Sequence, residues 1–561
     1  MKRYIVDLLS AALGEHMPSA EIARLVEVPP QESLGDFAFP CFPLARAFRK
    51  SPAAIAGELR LKMDKPPFID RIDVVSGYLN FFLDTKTMAR EMLAAASRHD
   101  FGGGNLNRRV VVEFASPNTN KPLHLGHLRN IAIGESVARI LSFCGNAVVR
   151  CSINNDRGVH ICKSMLAYAE FGKGETPESA GKKSDHFVGD YYVLFNKKAR
   201  EDETWQLRAQ ELLCKWEAGD PATVALWKKM NAWALGGFEA TYRLFGIAFD
   251  TEYFESRIYT SGKEIVADGL ARGIFYKRED GAICADLSER GGGEKVLLRP
   301  DGTSVYIVQD LYLAVLKDEE HRYDLSLYVV GNEQEYHFAV LKALLEKLGY
   351  PIAGKIVHLS YGMVELPEGK MKSREGTVVD ADDLIAETRE LAATELRERY
   401  ALSEAALAER SLRIALAAIK YQLLKVDIAK TMVFDPKKAI AFEGDTGPYL
   451  QYSYARASSI LRKAGEGEAT PEIGSLDARE VRLVKKIGAF PDAVEGAYAH
   501  CSPTFVAVYA FELAQCFNEF YHSCPVIGSD EQLFRIALVK NFRAVLKKCM
   551  WLLGIEEIEE M

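Results

Sequence analysis

The sequence predicts an α/β protein with a central parallel sheet, a small N-terminal α/β domain and a C-terminal all-helical domain. A strand pattern at 109–114 is followed by a helix pattern and by a second strand pattern at 148–153. Two further strand patterns lie at 325–330 and 355–359. From about residue 384 onward the apolar spacing is helical almost throughout. Together these three observations predict the fold class.

Residues 1–100 are expected to form the first domain. Apolar residues from Tyr4 to Leu25 have helical spacing, and two short strand patterns, 72–76 and 79–83, flank Gly77. The run Phe101-Gly102-Gly103-Gly104-Asn105 is typical of a linker. The first domain is therefore predicted to end at about residue 100.

Residues 101–385 are expected to form the sheet domain. The order of strand, helix (123–141) and strand predicts a parallel β-α-β unit with a right-handed crossover. Because the sheet resumes only at residue 325, we interpret the mostly helical stretch 165–300 as an insertion. Residues 386–561 are expected to form the helical domain, with helices at about 386–400, 404–424, 479–500, 504–521 and 531–553.

Composition excludes some classes of protein. No apolar run among the 561 residues reaches about 18, so no membrane span is expected, and the start of the chain does not resemble a secretory signal. Ten cysteines without a Cys-x-x-Cys predict reduced thiols, a cytoplasmic location and no structural metal. A net charge of −8 argues against broad, non-specific binding of nucleic acid but permits local basic patches.

The segment Ser116–Asn130, SPNTNKPLHLGHLRN, lies where a strand ends and a helix begins. Ligands bind at this edge of a parallel sheet. His124 and His127 are three residues apart and share a helix face, and Gly126 lets a flat group approach the backbone. Two imidazoles at a helix N-terminus suit a phosphate. A structural histidine pair or two metal ligands are alternatives, although no third ligand is evident nearby.

The segment Gly369–Val379, GKMKSREGTVV, is a glycine-bounded loop with Lys370, Lys372 and Arg374. Such a loop can close over a polyphosphate and stabilise charge on a pentavalent phosphorus. Taken alone, it could equally be a solvated surface loop.

Taken together, the two segments resemble the paired motifs of class I aminoacyl-tRNA synthetases, His-Ile-Gly-His and Lys-Met-Ser-Lys-Ser. Ser116-Pro117-Asn118 and Lys121 resemble the arginyl enzymes' form of the first motif. The resemblance implies a Rossmann-type catalytic domain, an N-terminal domain that binds the tRNA elbow and a helical domain that binds the anticodon. In the family, the lysine at the position of Lys121 is thought to replace a missing cation of the second motif, a role that Lys372 could share.

The resemblance extends along the chain, with two departures. Gln309 stands where the family usually has arginine, and Lys372 stands where serine is usual. The other matching segments are 35–38, 77–83, 154–160, 302–310, 331–334, 446–456, 517–526 and 553–561.

The resemblance also assigns residues to roles. The catalytic set is His124, Gly126, His127, Lys121 and Lys370. The ATP-binding set is His124, His127, Gly331, Met363, Lys370, Met371, Lys372 and Ser373. The arginine-binding set is Glu113, Ser116, Asn118, Tyr306, Asp310 and Gln334. The anticodon-binding set is Tyr452, Tyr454 and Met561, although each tyrosine could equally belong to the core.

An arginine substrate is chemically reasonable for these residues. A guanidinium is a planar fork that pairs with a facing carboxylate, for which Asp310 is the candidate. Tyr306, one helical turn earlier, would lie on the same face. The implied function is ATP-dependent activation of L-arginine and transfer to the 3′ end of tRNA(Arg), with ATP and Mg²⁺. The implied protein is a monomer that binds neither DNA nor a membrane.

Three other interpretations remain open. A cysteinyl enzyme is disfavoured because zinc-spaced cysteines are missing and Tyr306 and Asp310 are present. Intact His124, His127 and Lys370 argue against a non-catalytic tRNA-binding paralogue, although Lys372 and Gln309 do not. The helical C-terminal third argues against a simple nucleotidyltransferase.

Overall fold

A computed structural model of the protein describes residues 2–290, 292–365, 367, 379–465 and 473–560. The elements up to residue 171 are α1 (Lys2–Leu13), α2 (Ser19–Leu25), β1 (Phe37–Pro40), α3 (Ala45–Phe48), α4 (Pro52–Lys62), β2 (Ile69–Val75), β3 (Tyr78–Leu83), α5 (Thr85–Ala96), β4 (Arg109–Glu113), α6 (Leu125–Phe143), β5 (Ala147–Asn154) and α7 (Val159–Phe171).

The middle of the chain continues with helices and short strands. These are α8 (Pro177–Ala180), α9 (Ser184–Glu201), α10 (Thr204–Glu217), α11 (Pro221–Phe245), β6 (Thr251–Phe254), α12 (Glu255–Ile258), α13 (Gly262–Ala271), β7 (Tyr276–Lys277), β8 (Ile283–Asp286), β9 (Glu294–Leu298), α14 (Tyr306–His321), β10 (Leu325–Gly331), α15 (Glu335–Lys347), β11 (Ile356–Tyr361) and β12 (Val364–Glu365).

The remainder is mainly helical. It contains α16 (Ala381–Arg399), α17 (Glu404–Leu424), β13 (Met432–Val433), α18 (Pro436–Ala439), α19 (Gly447–Ala464), α20 (Ala478–Gly488), α21 (Phe490–His500), α22 (Thr504–Ser523) and α23 (Gln532–Leu552).

The central sheet has five parallel strands in the order β11-β10-β4-β5-β6. Val110 to Val112 of β4 pair with both neighbouring strands and are buried, as an inner strand of a parallel sheet requires. The chain runs from β4 to β5 and β6 on one side, and it later places β10 and β11 on the other. The topology therefore reverses between β4 and β10, which is where ligands bind in open sheets of this kind. This architecture confirms the predicted α/β class.

The predicted insertion at 165–300 differs from the structure in one respect. β6 lies inside it and pairs with β5, so the sheet resumes there and not at residue 325. A separate antiparallel sheet, β7-β8-β9, also lies within this stretch. These strands have two to five residues each, too few for an alternating pattern to stand out from the surrounding helical one.

The chain divides into two compact units. One comprises Met1–Phe101, Arg456–Pro491 and Glu512–Leu546, and the other comprises Gly102–Ala455, Asp492–Phe511 and Lys547–Met561. The first contains a three-stranded antiparallel sheet, β1-β3-β2, with Gly77 at a φ of 84° in the β2–β3 turn. Within the second, the first long helices after the sheet, α16 and α17, pack against each other. Among the described residues, no helix combines the length and apolarity needed to span a bilayer.

Candidate active site

A cavity of about 340 Å³ lies at the reversal point between β4 and β10. Five residues assigned from the sequence line it together: Ser116 after β4, His124, Gly126 and His127 at the start of α6, and Gly331 at the end of β10. Met363, also assigned from the sequence, lines it as well. Residues that the sequence analysis did not select complete the lining, and these are Ala115, Asn130, Val329, Val330, Glu333, Tyr361 and Val364.

The loop after β4 has an unusual backbone. Ala115 and Ser116 are consecutive non-glycine residues with positive φ, 73° and 47°. The Ala115 N–H donates to Asn130 Oδ1 at 2.6 Å, and Asn130 Nδ2 donates to the Val329 carbonyl at 2.7 Å and to the Tyr361 hydroxyl at 3.2 Å. Asn130 thus joins the carboxyl ends of three adjacent strands. Such contacts stabilise a strained conformation of the kind often found at functional sites.

His124 and His127 form the N-terminal cap of α6. His124 Nδ1 accepts the Gly126 N–H, and His127 Nδ1 accepts the His124 N–H, both at 3.1 Å. The ring centroids are 3.9 Å apart. A Cβ on Gly126 would approach the His124 ring to 3.0 Å, so a side chain there would crowd the cap.

Both histidines are neutral at physiological pH. Burial lowers the pKa of His124 to about 4, with a smaller contribution from the charge of Lys121. Burial also holds the pKa of His127 well below its usual value. Because each Nδ1 accepts a hydrogen bond, each neutral ring carries its proton on Nε2. Two Nε2–H donors are therefore available to an anionic ligand.

Arg129, one turn into α6, is fully buried and was not selected from the sequence. Its Nη1 donates to the carbonyls of Gly362 and Met363, each at 2.7 Å, and its Nη2 donates to the Lys430 carbonyl at 2.8 Å. Burial lowers its pKa to about 10, so it remains charged. Arg129 thereby fixes the segment that brings Met363 to the cavity.

Lys121 lies beside His124 in a second cavity of about 170 Å³, which His186 and Asp380 also line. It makes no hydrogen bond or ion pair with the part of the chain that the structure describes. Burial lowers the pKa of Lys121. It is therefore a partly desolvated amine next to the histidine cap.

A charged cluster, Lys183, Asp185, His186, Asp380 and Asp382, borders this second cavity. Lys183 Nζ donates to Asp382 at 2.6 Å, and His186 Nε2 lies 3.0 Å from Asp382 and 3.3 Å from Asp380. Asp185, His186 and Asp382 could together hold a metal ion, but Lys183 Nζ already supplies a cation at 3.2 Å from Asp185. The cluster joins α9 to the N-terminus of α16, where Asp380 is the cap.

The segment that begins at Val379 pairs with the first motif. The Leu125 N–H donates to the Val379 carbonyl at 3.1 Å, and the Ala381 N–H donates to the Leu123 carbonyl at 3.0 Å. Four second-motif residues assigned from the sequence, Lys370, Met371, Lys372 and Ser373, lie outside the described residues, as does Met561.

The residues assigned to arginine lie on several elements. Tyr306 and Asp310 are one turn apart at the start of α14, with Tyr306 70% exposed. Gln334 and Asn118 are exposed at the ends of β10 and of the β4 loop. Asp310 already has a partner, His337 of α15, whose Nε2 lies 2.5 Å from Oδ2. His337 was not selected from the sequence.

Glu113, the last residue of β4, is buried against a cation. It forms an ion pair with Lys317 of α14, whose ammonium is fully buried and lies 4.0 Å from the centre of the Tyr328 ring. Lys317 is seven residues after Asp310 and therefore on the same helix face. The charge of Glu113 is thus balanced inside the protein.

Gln309, one of the two departures from the family pattern, is buried and hydrogen-bonded to Glu255. Glu255 is 5% exposed and lies 3.9 Å from Arg157. Burial raises its pKa to about 7, while Arg157 and Gln309 counteract the shift and Asp156 and Asp310 add to it. The acidic side of the site therefore includes a carboxyl group that sequence analysis did not select.

Helices of the insertion contact the two loops that follow β4 and β5. Asn231 of α11 contacts the Thr119 hydroxyl, and Trp227 Nε1 donates to the Asp156 carbonyl at 2.6 Å. Arg157 pairs with Glu217 of α10, and its guanidinium lies 4.0 Å from the Tyr259 ring centre. Helices α10 and α11 thus brace the loops after β4 and β5.

The two tyrosines assigned to the anticodon differ in exposure. Tyr454 is 2% exposed, and its hydroxyl donates to Glu559 at 3.1 Å, so its ring belongs to the core. Tyr452 is half-buried.

Comparison with known proteins identifies the family. A family model described as "tRNA synthetases class I (R), catalytic domain" matches residues 91–435. "Arginyl tRNA synthetase N terminal domain" matches residues 3–83, and "DALR anticodon binding domain" matches residues 450–561. The chain belongs to the arginyl-tRNA synthetase family.

Individual arginyl-tRNA synthetase relatives match over nearly the whole chain. An arginine–tRNA ligase of Treponema denticola is 45% identical over 96% of this chain and 94% of its own. That of Bacteroides fragilis is 43% identical over 99% and 98%. The solved Thermus thermophilus arginyl-tRNA synthetase superposes with a TM-score of 0.86 at 29% identity, covering both chains completely.

Proposed function

We propose that the protein is an arginine–tRNA ligase, which activates L-arginine with ATP and transfers it to the 3′ end of tRNA(Arg). The observation that carries the proposal is the cavity at the sheet reversal, where His124, Gly126 and His127 face Gly331. Its size and its position at the carboxyl ends of the strands suit an adenosine phosphate.

The first step joins arginine to AMP. The carboxylate of arginine attacks the α-phosphorus of ATP, which arrives as its Mg²⁺ complex, and pyrophosphate leaves. His124 and His127 donate hydrogen bonds from their Nε2–H groups to phosphate oxygens on which charge develops. Neither ring needs to change its protonation state, because positioning and charge stabilisation account for most of this chemistry.

Other residues are proposed to hold ATP. Gly331 and Met363 border the adenosine, and Lys121 supplies positive charge from the side of the second cavity. Lys370, Met371, Lys372 and Ser373 of the second motif are proposed to contact the phosphates. Lys121 is favoured over Lys372 as the replacement for the missing second-motif lysine because it adjoins His124.

Arginine is proposed to bind between β4 and α14. Asp310 and Tyr306 receive the guanidinium. Ser116, Asn118 and Gln334 surround the other end of the arginine molecule. Glu113 is proposed to form the inner wall, where Lys317 keeps its carboxylate oriented. A pocket with carboxylates on one side is suited to a cation and disfavours apolar amino acids.

The second step transfers arginine to tRNA. A hydroxyl of the terminal adenosine attacks the arginyl carbonyl carbon, and AMP leaves. We propose that residues 1–100 bind the tRNA elbow, residues 101–385 carry out both steps and residues 386–561 bind the anticodon. Tyr452 and Met561 are proposed to contact the anticodon loop, and Tyr454 supports that surface from the core.

The cellular setting proposed is the cytoplasm, with the protein acting as a monomer. All ten cysteines are free thiols, which supports a reducing compartment. Neither DNA nor a membrane is proposed as a partner.

Arginine-dependent exchange of pyrophosphate into ATP tests the proposal, measured with tRNA(Arg) bound. The wild-type protein should exchange with arginine, and His127→Ala should lower the rate by about a hundredfold, the order expected for loss of a positioned donor. Binding of tRNA should persist in that variant. Arg243→Ala, a change at an exposed side chain of α11, is the control and should leave exchange unchanged. Equal loss of exchange and tRNA binding in His127→Ala would contradict the assigned role.

A further inference from the structure

A histidine of α15 contacts the carboxylate proposed to receive arginine. The side chain of Asp310 makes one hydrogen bond within the part of the chain that the structure describes: its Oδ2 lies 2.5 Å from Nε2 of His337. The side chains of Asp310 and His337 are about equally exposed, at 34% and 28%. The two residues lie on different helices and are 27 residues apart in sequence.

His337 is held in place by the packing of the first turn of α15, just after β10. It is the third residue of α15, which follows β10 almost directly. Its ring lies edge-on to Phe338, with centroids 5.8 Å apart and planes at 84°. Phe338 is buried, stacked on His358 at 4.4 Å and packed against Tyr328 at 5.1 Å. The core thus fixes the helix turn from which His337 reaches Asp310.

This contact leaves the carboxylate ready for a guanidinium. A carboxylate has about four acceptor positions on two oxygens, and His337 uses one of them on Oδ2. Oδ1 and the other position of Oδ2 remain for a bidentate pair with a planar fork. Without His337 the carboxylate would rotate about a broad, two-fold torsion.

We propose that His337 is a positioning residue for arginine specificity. It holds the Asp310 carboxylate in the orientation that accepts the guanidinium, and it does not itself take part in bond formation. The proposal rests on the proposed function, in which Asp310 binds arginine. It adds a residue from α15 to a pocket formed by α14 and β4.

The geometry also distinguishes this role from catalysis. A general base is not needed in the first step, because the attacking group is already a carboxylate. Because Nε2 faces Asp310, the expected effect of losing His337 is on arginine binding, and the rate at saturating arginine should change little.

Pyrophosphate exchange with tRNA(Arg) bound, at varied arginine and varied ATP, tests the proposal. His337→Ala should raise KM for arginine about tenfold, on the order of a hydrogen bond to a charged group, with KM for ATP and kcat changed less than about twofold. His337→Gln, whose amide can donate from nearly the same place as Nε2, should recover most of the loss. Tyr336→Phe, at the adjacent exposed position, should leave KM for arginine unchanged.

A double-mutant cycle with Asp310→Asn provides the second measurement. If His337 acts through Asp310, the double variant should bind arginine no more weakly than Asp310→Asn alone. Additive losses, or a fall in kcat with an unchanged KM, would overturn the proposal. If the wild-type protein does not activate arginine at all, the proposed function fails, whereas normal arginine activation by His337→Ala defeats only this inference.

Discussion

Lys317 and Glu113 form a buried ion pair between α14 and the carboxyl end of β4. Lys317 is fully buried, and its ammonium also faces the Tyr328 ring. The pair ties the helix that carries Asp310 to the strand that leads into the first motif. Loss of this ion pair should therefore disturb both the arginine-binding helix and the strand that precedes the first motif.

Replacing Lys317 by Met should destabilise the protein strongly. The change leaves Glu113 buried and unpaired, a situation that costs about 3–5 kcal/mol. Denaturant unfolding measures the loss, followed by a probe in the unit that contains the five-stranded parallel sheet. Arg243→Met breaks an exposed pair with Glu239 on α11 and should cost less than about 1 kcal/mol. Similar losses in the two variants would contradict the account of the buried pair.

Replacing Arg129 by Lys should raise KM for ATP. One ammonium cannot donate to the carbonyls of Gly362, Met363 and Lys430 with the spacing of a guanidinium. The segment carrying Met363 should then move, and KM for ATP should rise by about tenfold or more, the cost of losing a hydrogen bond from a charged group. Exchange kinetics measure this, with the exposed Arg272→Lys as control. An unchanged KM would show that Met363 is positioned by other contacts.

The stability contributed by His186 should depend on pH. Hydrogen bonds to Asp380 and Asp382 raise its pKa to about 10, with Lys183 and Asp185 as the other charged neighbours. A histidine with a raised pKa contributes fully below about 6.5 and loses its contribution as pH rises toward 10. The difference in Tm between wild type and His186→Gln should therefore shrink from pH 6 to pH 10. A constant difference would exclude a charged His186.

Glu255 shows the same sign in a lower pH window, but its raised pKa reflects a charged form that the folded state disfavours. Burial raises its pKa to about 7, so the folded state loses stability as pH rises from about 4.5 to 7 and the loss persists above that. Glu255→Gln lacks this titration. Its Tm relative to wild type should rise across the same window and then level off, as measured by thermal unfolding in matched buffers. A flat difference would mean that Glu255 titrates normally.

The parts of the fold with long, regular patterns could be predicted from the sequence. Strands β4, β5, β10 and β11 lie within two residues of their predicted positions, because each is a run of strand formers bounded by turns. Strand β6 was missed because four residues between helices carry no recognisable period.

Some of the missed site residues had a signal in the sequence. Arg129 and Asn130 lie in α6 between apolar residues, Leu125 and Leu128 before them and 131–133 after them, a pattern that predicts a buried turn whose polar groups are hydrogen-bonded. Tyr454 was assigned to the anticodon with a core role as the alternative, and its spacing from Leu450 and Ala457, which are buried as it is, is typical of a core face. The pairs His337–Asp310 and Lys317–Glu113 had no such signal, because each joins distant segments that only the folded chain brings together.

Charging of tRNA(Arg) with each of the twenty amino acids in turn tests the central claim most directly. The account predicts ATP-dependent charging with arginine, with the other amino acids lower by orders of magnitude, because Asp310 and its neighbours require a cationic fork. Charging with another amino acid, or with none, would contradict it.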